Sequence, residues 1–162
     1  MTTPLADPET RLAADDHEAL RLWLRLFTCS TMVERAIGTA LKREFGSSLP
    51  RFDLLAQLER SPAGMRLGEL SDRLLVTGGN VTFLVNSLEA DGLLARKRAP
   101  ADGRAWIVQL TADGRRAFTT MAREHERWIA RLFGGLSARE RTQLHSLLGS
   151  LKASLHDEAH AP

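Results

Sequence analysis

Within ten residues, Thr77, Gly78, Gly79, Asn80, Thr82, Phe83 and Asn86 gather hydroxyls, amides and bare backbone. Their chemistry is hydrogen bonding, not bond breaking. Asn can bond adenine and Thr can bond several bases. Two glycines at a helix start leave backbone N–H groups open to a phosphate. Val81, Leu84, Val85 and Leu88 recur at spacings of three, four and seven, so they share the opposite helical face. A solvated surface helix with a threonine cap is the plain alternative. Such a helix more often carries Lys, Glu and Arg on its outer side.

The flanking elements must hold this helix. The stretch Glu69 to Leu75 predicts a short helix with Leu70, Leu74 and Leu75 inward, although Arg66 stands where a capping residue is expected. Val76 turns the chain into Thr77, the predicted N-cap. Two short helices joined tightly, the second presenting polar groups, make a helix-turn-helix. After Asp91-Gly92 the period changes. Trp106, Val108 and Leu110 alternate as a half-buried strand, Ala95 to Ala99 can pair with it, and Pro100-Ala101-Asp102-Gly103 is turn chemistry. This hairpin is a wing. Arg96, Lys97, Arg98 and Arg104 against Asp102 make it net +3 over residues 95–105, although the whole chain of 162 residues is only +2. Basicity is thus concentrated where a DNA backbone or minor groove would lie. Arg104 is long, always charged and suited to a narrow groove; its alternative is a surface salt bridge with Asp102, worth roughly 0–1 kcal/mol.

Long helices are predicted at both ends. The first starts at a cap on Asp15 or Asp16 and runs to Phe45, with Leu20, Trp23, Leu24, Phe27, Met32, Val33, Ile37 and Leu41 apolar. Pro50 opens a second helix carrying Phe52, Leu55 and Leu58, and Ala63 to Leu67 could add a strand. Thr111 caps a helix with Phe118, Met121, His125, Trp128, Ile129, Leu132 and Phe133 in one stripe. Gly134-Gly135 ends it. Ser137 and Glu140 form a capping box before a last helix with Leu144, Leu147, Leu148, Leu151 and Leu155. The fold class is mainly α with a small β-hairpin. Residues 1–16 read as a loose arm, 17–46 and 112–160 as a helical dimerisation region, and 47–111 as the winged helix-turn-helix. The surplus apolar surface of the end helices implies a homodimer.

Composition narrows the alternatives. One cysteine allows no disulfide framework and no cysteine-based zinc cluster within a chain. The start is not a signal peptide and no apolar run spans a membrane, so a cytoplasmic protein is expected. No nucleophile, base and orienting acid stand together, so no enzyme is read. No cofactor motif is present. His156 and His160 have helical metal-pair spacing but no third ligand, so no metal site is assigned.

The element order, the stretch VTGGNVTFLVNSLEADGLL and the stretch DGRAWIVQLTADGRRAF resemble the MarR family of bacterial transcription regulators over about residues 17–155. The acid-x-arginine near the wing tip and the following LT-x-x-G are specific to it. The resemblance implies that Thr77, Gly79, Asn80, Thr82 and Asn86 face the major groove, that Arg104 enters the minor groove, and that Asp102 holds that arginine. Family members often carry Arg where this chain has Phe83 and a second basic residue where it has Ser87. A sequence-specific regulator of a palindromic operator follows, repression being the commoner mode. The resemblance also implies release by a small aromatic acid or its CoA thioester, bound between the helical region and the winged helix. Trp23, Phe27, Phe52 and His125 could supply aromatic walls, and Arg25 or Arg51 a cation. Such residues at helical spacing otherwise serve as core or solvated face. Two rival functions remain: a winged helix that docks a protein, and a thiol sensor through Cys29. Thiol sensors of the family place the cysteine about two turns earlier, at Trp23 here, and use tyrosines, which this chain lacks. Cys29 is therefore expected to be buried and inert.

Overall fold

The computed structural model describes residues 17–74, 77–99 and 102–159, with backbone only at 102–104 and 158–159. Expectations for the arm 1–16, the caps Asp15 and Asp16, Leu75, Val76, Pro100, Ala101 and His160 lie outside the described residues. The chain divides into two compact units, one reaching His125 and one from Glu126 onward.

In the first unit, α1 spans Glu18–Phe45. His17 stands at its N-cap without a side-chain cap bond, in place of the expected aspartates. Gly46, at φ +62°, turns the chain out of the helix; its N–H and that of Ser47 donate to Lys42 O and Leu41 O. Only glycine adopts that conformation cheaply. Ser48 then accepts from Arg51 N and starts α2, Leu49–Glu59, with Pro50 in its first turn. Strand β1 is only Met65–Arg66. Helix α3 spans Leu67–Leu74, beginning two residues earlier than the sequence reading. No capping side chain marks that start, because the strand delivers the chain directly into the helix.

Helix α4 spans Gly78–Ala90, with Thr77 Oγ1 accepting from Asn80 N at 3.5 Å. It ends at Asp91, and Gly92 (φ +72°) redirects the chain into β2, Leu94–Ala99, and β3, Asp102–Leu110. The three strands form one antiparallel sheet in the order β1-β3-β2. Leu94 pairs with Leu110 and Met65 with Val108. The core beneath collects Leu41, Leu54, Leu55, Leu58, Met65, Leu70, Val81, Val85, Leu88 and Val108, all buried. Each such side chain contributes roughly 1.5–3 kcal/mol on leaving water. Trp106 departs from its expected alternation: it is 42% exposed, with the Arg98 guanidinium 4.1 Å above its ring. The wing extends past the core there, so the strand period no longer selects a buried face.

Helix α5, Ala112–Leu132, begins in this unit. Thr111 Oγ1 accepts from Gly114 N at 2.9 Å and donates to Gly92 O at 2.7 Å. Arg115 pairs with Glu59 of α2 at 2.8 Å. In the second unit, α6 spans Ala138–Ala159. The capping box forms as read: Ser137 N donates to Glu140 Oε2 at 2.7 Å and Glu140 N to Ser137 Oγ at 3.3 Å. Hydrogen bonding to its carboxylate from the Ser137 side chain, and then from the Ser137 backbone N–H, holds the Glu140 carboxyl below its ordinary range. Leu144, Leu147, Leu148 and Leu155 of α6 are exposed.

Candidate nucleic-acid interface

Burial of Val81, Val85 and Leu88 against the first unit's core leaves the other face of α4 outward. Asn80, Thr82, Phe83 and Asn86 are all exposed, Phe83 to 73%. Thr82 Oγ1 donates to Gly78 O at 3.0 Å, so it offers its methyl and its remaining lone pairs outward. Gly78 and Gly79 are exposed at the helix start. A Cβ at either would meet nothing within 4 Å. Packing inside the chain does not require glycine there.

Four contacts from two arginines fix this helix, and the sequence reading identified none of them. Arg51 of α2 donates to Ser87 Oγ and Asp91 Oδ2, anchoring the C-terminal end of α4. Its side chain is only 18% exposed. Arg51, read above as one of two candidate cations for an effector carboxylate, is therefore engaged with α4. On the wing side, Arg96 of β2 donates to Asn86 Oδ1 and pairs with Glu89 at 2.9 Å. Arg96 and Asn86 stand ten residues apart across a turn, a spacing that carries no helical or strand signature. Lys97 and Arg98 are exposed along β2, with Arg98 laid over Trp106. The side chains of Asp102 and Arg104 lie outside the described residues, and the expected contact between them with it.

The residues read as effector walls fall into two groups. Trp23 and Phe27 are exposed on α1 and contact each other, ring centroids 5.6 Å apart. Phe52 is buried and meets His125 at 4.7 Å and Phe118 at 5.5 Å. Burial lowers the His125 pKa, opposed by the nearby Asp53 carboxylate. Burial raises that of Asp53, an effect which His125 offsets in part and Glu34 reinforces. Arg25 is exposed and engaged in an interaction of its own. Cys29 is exposed on α1, against the expectation of a buried thiol. The apolar neighbours Phe27 and Met32 are themselves exposed and give it no cover. Among the described residues no helix is long and apolar enough to cross a membrane, and no group of three or more His, Cys, Asp or Glu could hold a metal.

Residues 45–105 match the model of the MarR family. The chain is 36% identical over 117 residues to the HTH-type transcriptional regulator YkoM of Bacillus subtilis, covering 72% of this chain and 73% of that protein. Its fold is similar to Sco3205, a MarR family transcriptional regulator from Streptomyces coelicolor crystallised in complex with DNA. There the TM-score is 0.75 at 22% identity, with 89% of this chain and 91% of that one covered. It is also similar to CouR from Rhodococcus jostii RHA1, crystallised with p-coumaroyl-CoA, at TM-score 0.69 and 22% identity, covering 80% and 90%. The chain belongs to the MarR family: it is a DNA-binding winged helix-turn-helix transcriptional regulator, not an enzyme.

Proposed function

We propose that the protein is a homodimeric, ligand-responsive repressor acting in the cytoplasm on a palindromic operator. The observation that carries this reading is the outward face of α4. It presents Asn80, Thr82, Phe83 and Asn86 beside two glycines whose small size serves no contact among the described residues. A phosphate can approach such a helix start closely. Two copies of α4 enter successive major grooves roughly 34 Å apart, and the wing, through Arg98 and Arg104, follows the adjoining backbone and minor groove. Exposed Leu20, Leu22, Trp23, Phe27 and Met32 on α1, and Leu144, Leu147, Leu148 and Leu155 on α6, support a second copy as partner. Left in water, that much apolar side chain is costly.

An aromatic acid or its CoA thioester is the proposed effector. The CoA thioester bound by the structurally similar CouR supports that class, and Trp23, Phe27, Phe52 and His125 remain the candidate walls. Arg25, exposed on α1, and Arg51, held against α4, are the candidate cations. An effector displaces DNA only by as much as it prefers the arrangement that DNA disfavours.

The test is titration of duplexes selected from a random pool at several salt concentrations, with sedimentation to give the oligomeric state. A palindrome bound by a dimer with a steep salt slope is expected. Arg104→Ala should weaken binding roughly tenfold, the scale of one good groove contact. A monomer that retains no duplex would overturn the proposal and favour a protein-docking module.

A further inference from the structure

We propose that Arg96 sets which base Asn86 reads, and that this base is guanine. The inference rests on the reading of α4 as the recognition helix. An asparagine amide is ambiguous by itself: it can donate through Nδ2 and accept through Oδ1, the combination that suits adenine. Here one end is already taken. A guanidinium has only donors, so the Asn86 atom facing Arg96 must be Oδ1. Oδ1 keeps a second lone pair but faces a positive charge, so the amide's two hydrogens are the end favoured for a ligand. Asn86 is exposed, whereas Arg96 is half-buried and held by Glu89 at 2.9 Å, so the pair is built from the protein side.

The same geometry works against adenine. Its paired recognition needs Oδ1 to accept from the N6 amino group, bringing a second donor to an oxygen already facing a positive charge. Cytosine offers only a donor in the major groove. Guanine offers N7 and O6, both acceptors. One can take a hydrogen from Nδ2, and both are favoured electrostatically by the guanidinium behind the amide. Thymine has a single acceptor, O4, and ranks second. Arg96 is thus a specificity-determining positioning residue: it acts through Asn86 and does not itself need to touch the base.

The experiment uses the full chain and a random duplex pool. Asn86→Ala should flatten base preference at one position of each half-site, which locates the contact. The wild type should select guanine at that position. Arg96→Met keeps an unbranched stem and removes the charge; it should lose the guanine preference and raise adenine several-fold there. Glu89→Gln, which leaves the Arg96–Asn86 bond in place, should keep guanine. A second measurement needs no variant. In the wild-type operator, 7-deazaguanine or 2-aminopurine at that position should weaken binding roughly tenfold, while inosine should not. Selection of adenine by the wild type, or insensitivity to both guanine analogues, would overturn the inference while leaving sequence-specific binding intact. Enrichment of no duplex by any form would overturn the DNA reading itself.

Discussion

Arg51 of α2 forms an ion pair with Asp91, the residue that ends α4, and the same guanidinium donates to Ser87 one turn earlier. Helix α4, the proposed recognition helix, is therefore pinned at its C-terminal end by a charge from the helix behind it. At its N-terminal end the described side-chain bonds stay within the helix and its cap: Asn80 N to Thr77 Oγ1 at 3.5 Å and Thr82 Oγ1 to Gly78 O at 3.0 Å.

Removing that pin should be felt more in DNA binding than in stability. Arg51→Met keeps the apolar stem and leaves Asp91, more than half exposed, free to hydrate. The expected stability loss is about 1 kcal/mol or less, since solvent screens the pair, or a Tm fall of about 2–4 °C. Operator affinity should drop by several-fold as α4 gains freedom. Calorimetry and a binding titration on one preparation separate the two effects; a large Tm fall with unaltered affinity would contradict this account.

Gly114 is constrained more tightly. A Cβ there would stand 1.9 Å from the Leu93 carbonyl oxygen, where backbone must move. Gly114→Ala should destabilise the protein by about 1–3 kcal/mol, the range for forced overpacking. Urea denaturation reads this directly, and a neutral result would mean the start of α5 shifts freely.

Phe83 offers the converse. Because it is so exposed, Phe83→Ala should leave stability within about 0.5 kcal/mol. A side chain spared by folding but placed among Thr82 and Asn86 should matter to the duplex. Affinity is expected to fall by roughly fivefold, at half-site positions carrying a thymine methyl. Equal affinity for operators with thymine or uracil at those positions would remove Phe83 from recognition.

Stability should also depend on pH through His125. Burial lowers its pKa in the folded chain, so the unfolded chain takes up the proton first. Stability is unaffected well above the ordinary histidine value of 6.5 and declines as pH falls from there toward the folded value. Asp53 has the opposite slope at lower pH. Its raised pKa penalises the charged form, and that penalty is relieved as pH falls through the folded value toward 3.8. His125→Gln should flatten the first decline. Urea midpoints from about pH 8 to about pH 5 check it, and an undiminished slope in the variant would assign the decline to other groups.

Local chemistry made much of this fold legible. Thr77, Thr111 and the Ser137–Glu140 pair each start a helix by bonding within three residues, so sequence spacing reveals them. The turn residues and strand period likewise announced the wing. What stayed hidden depends on distance along the chain. Arg51 reaches 36 and 40 residues ahead to Ser87 and Asp91, and no periodicity marks that pairing. Trp106 looked like core because alternation cannot show where a sheet outruns its support. The exposed face of α4 could be listed from its residue types, yet the orientation of Asn86 needed Arg96 in place. For the effector, aromatic content identified side chains but not their company: Phe52 and His125 pack together, and Trp23 with Phe27.

The root of the wing is tied at several points. Thr111 N donates to Leu93 O, its hydroxyl bridges to Gly92 O, and Gly114 lies against the same Leu93 carbonyl. A hairpin fastened this way cannot swivel on its stem. If α4 reads DNA as proposed, it and strands β2 and β3 travel as one jaw, and an inducer of the proposed repressor would act by moving whole jaws apart or askew.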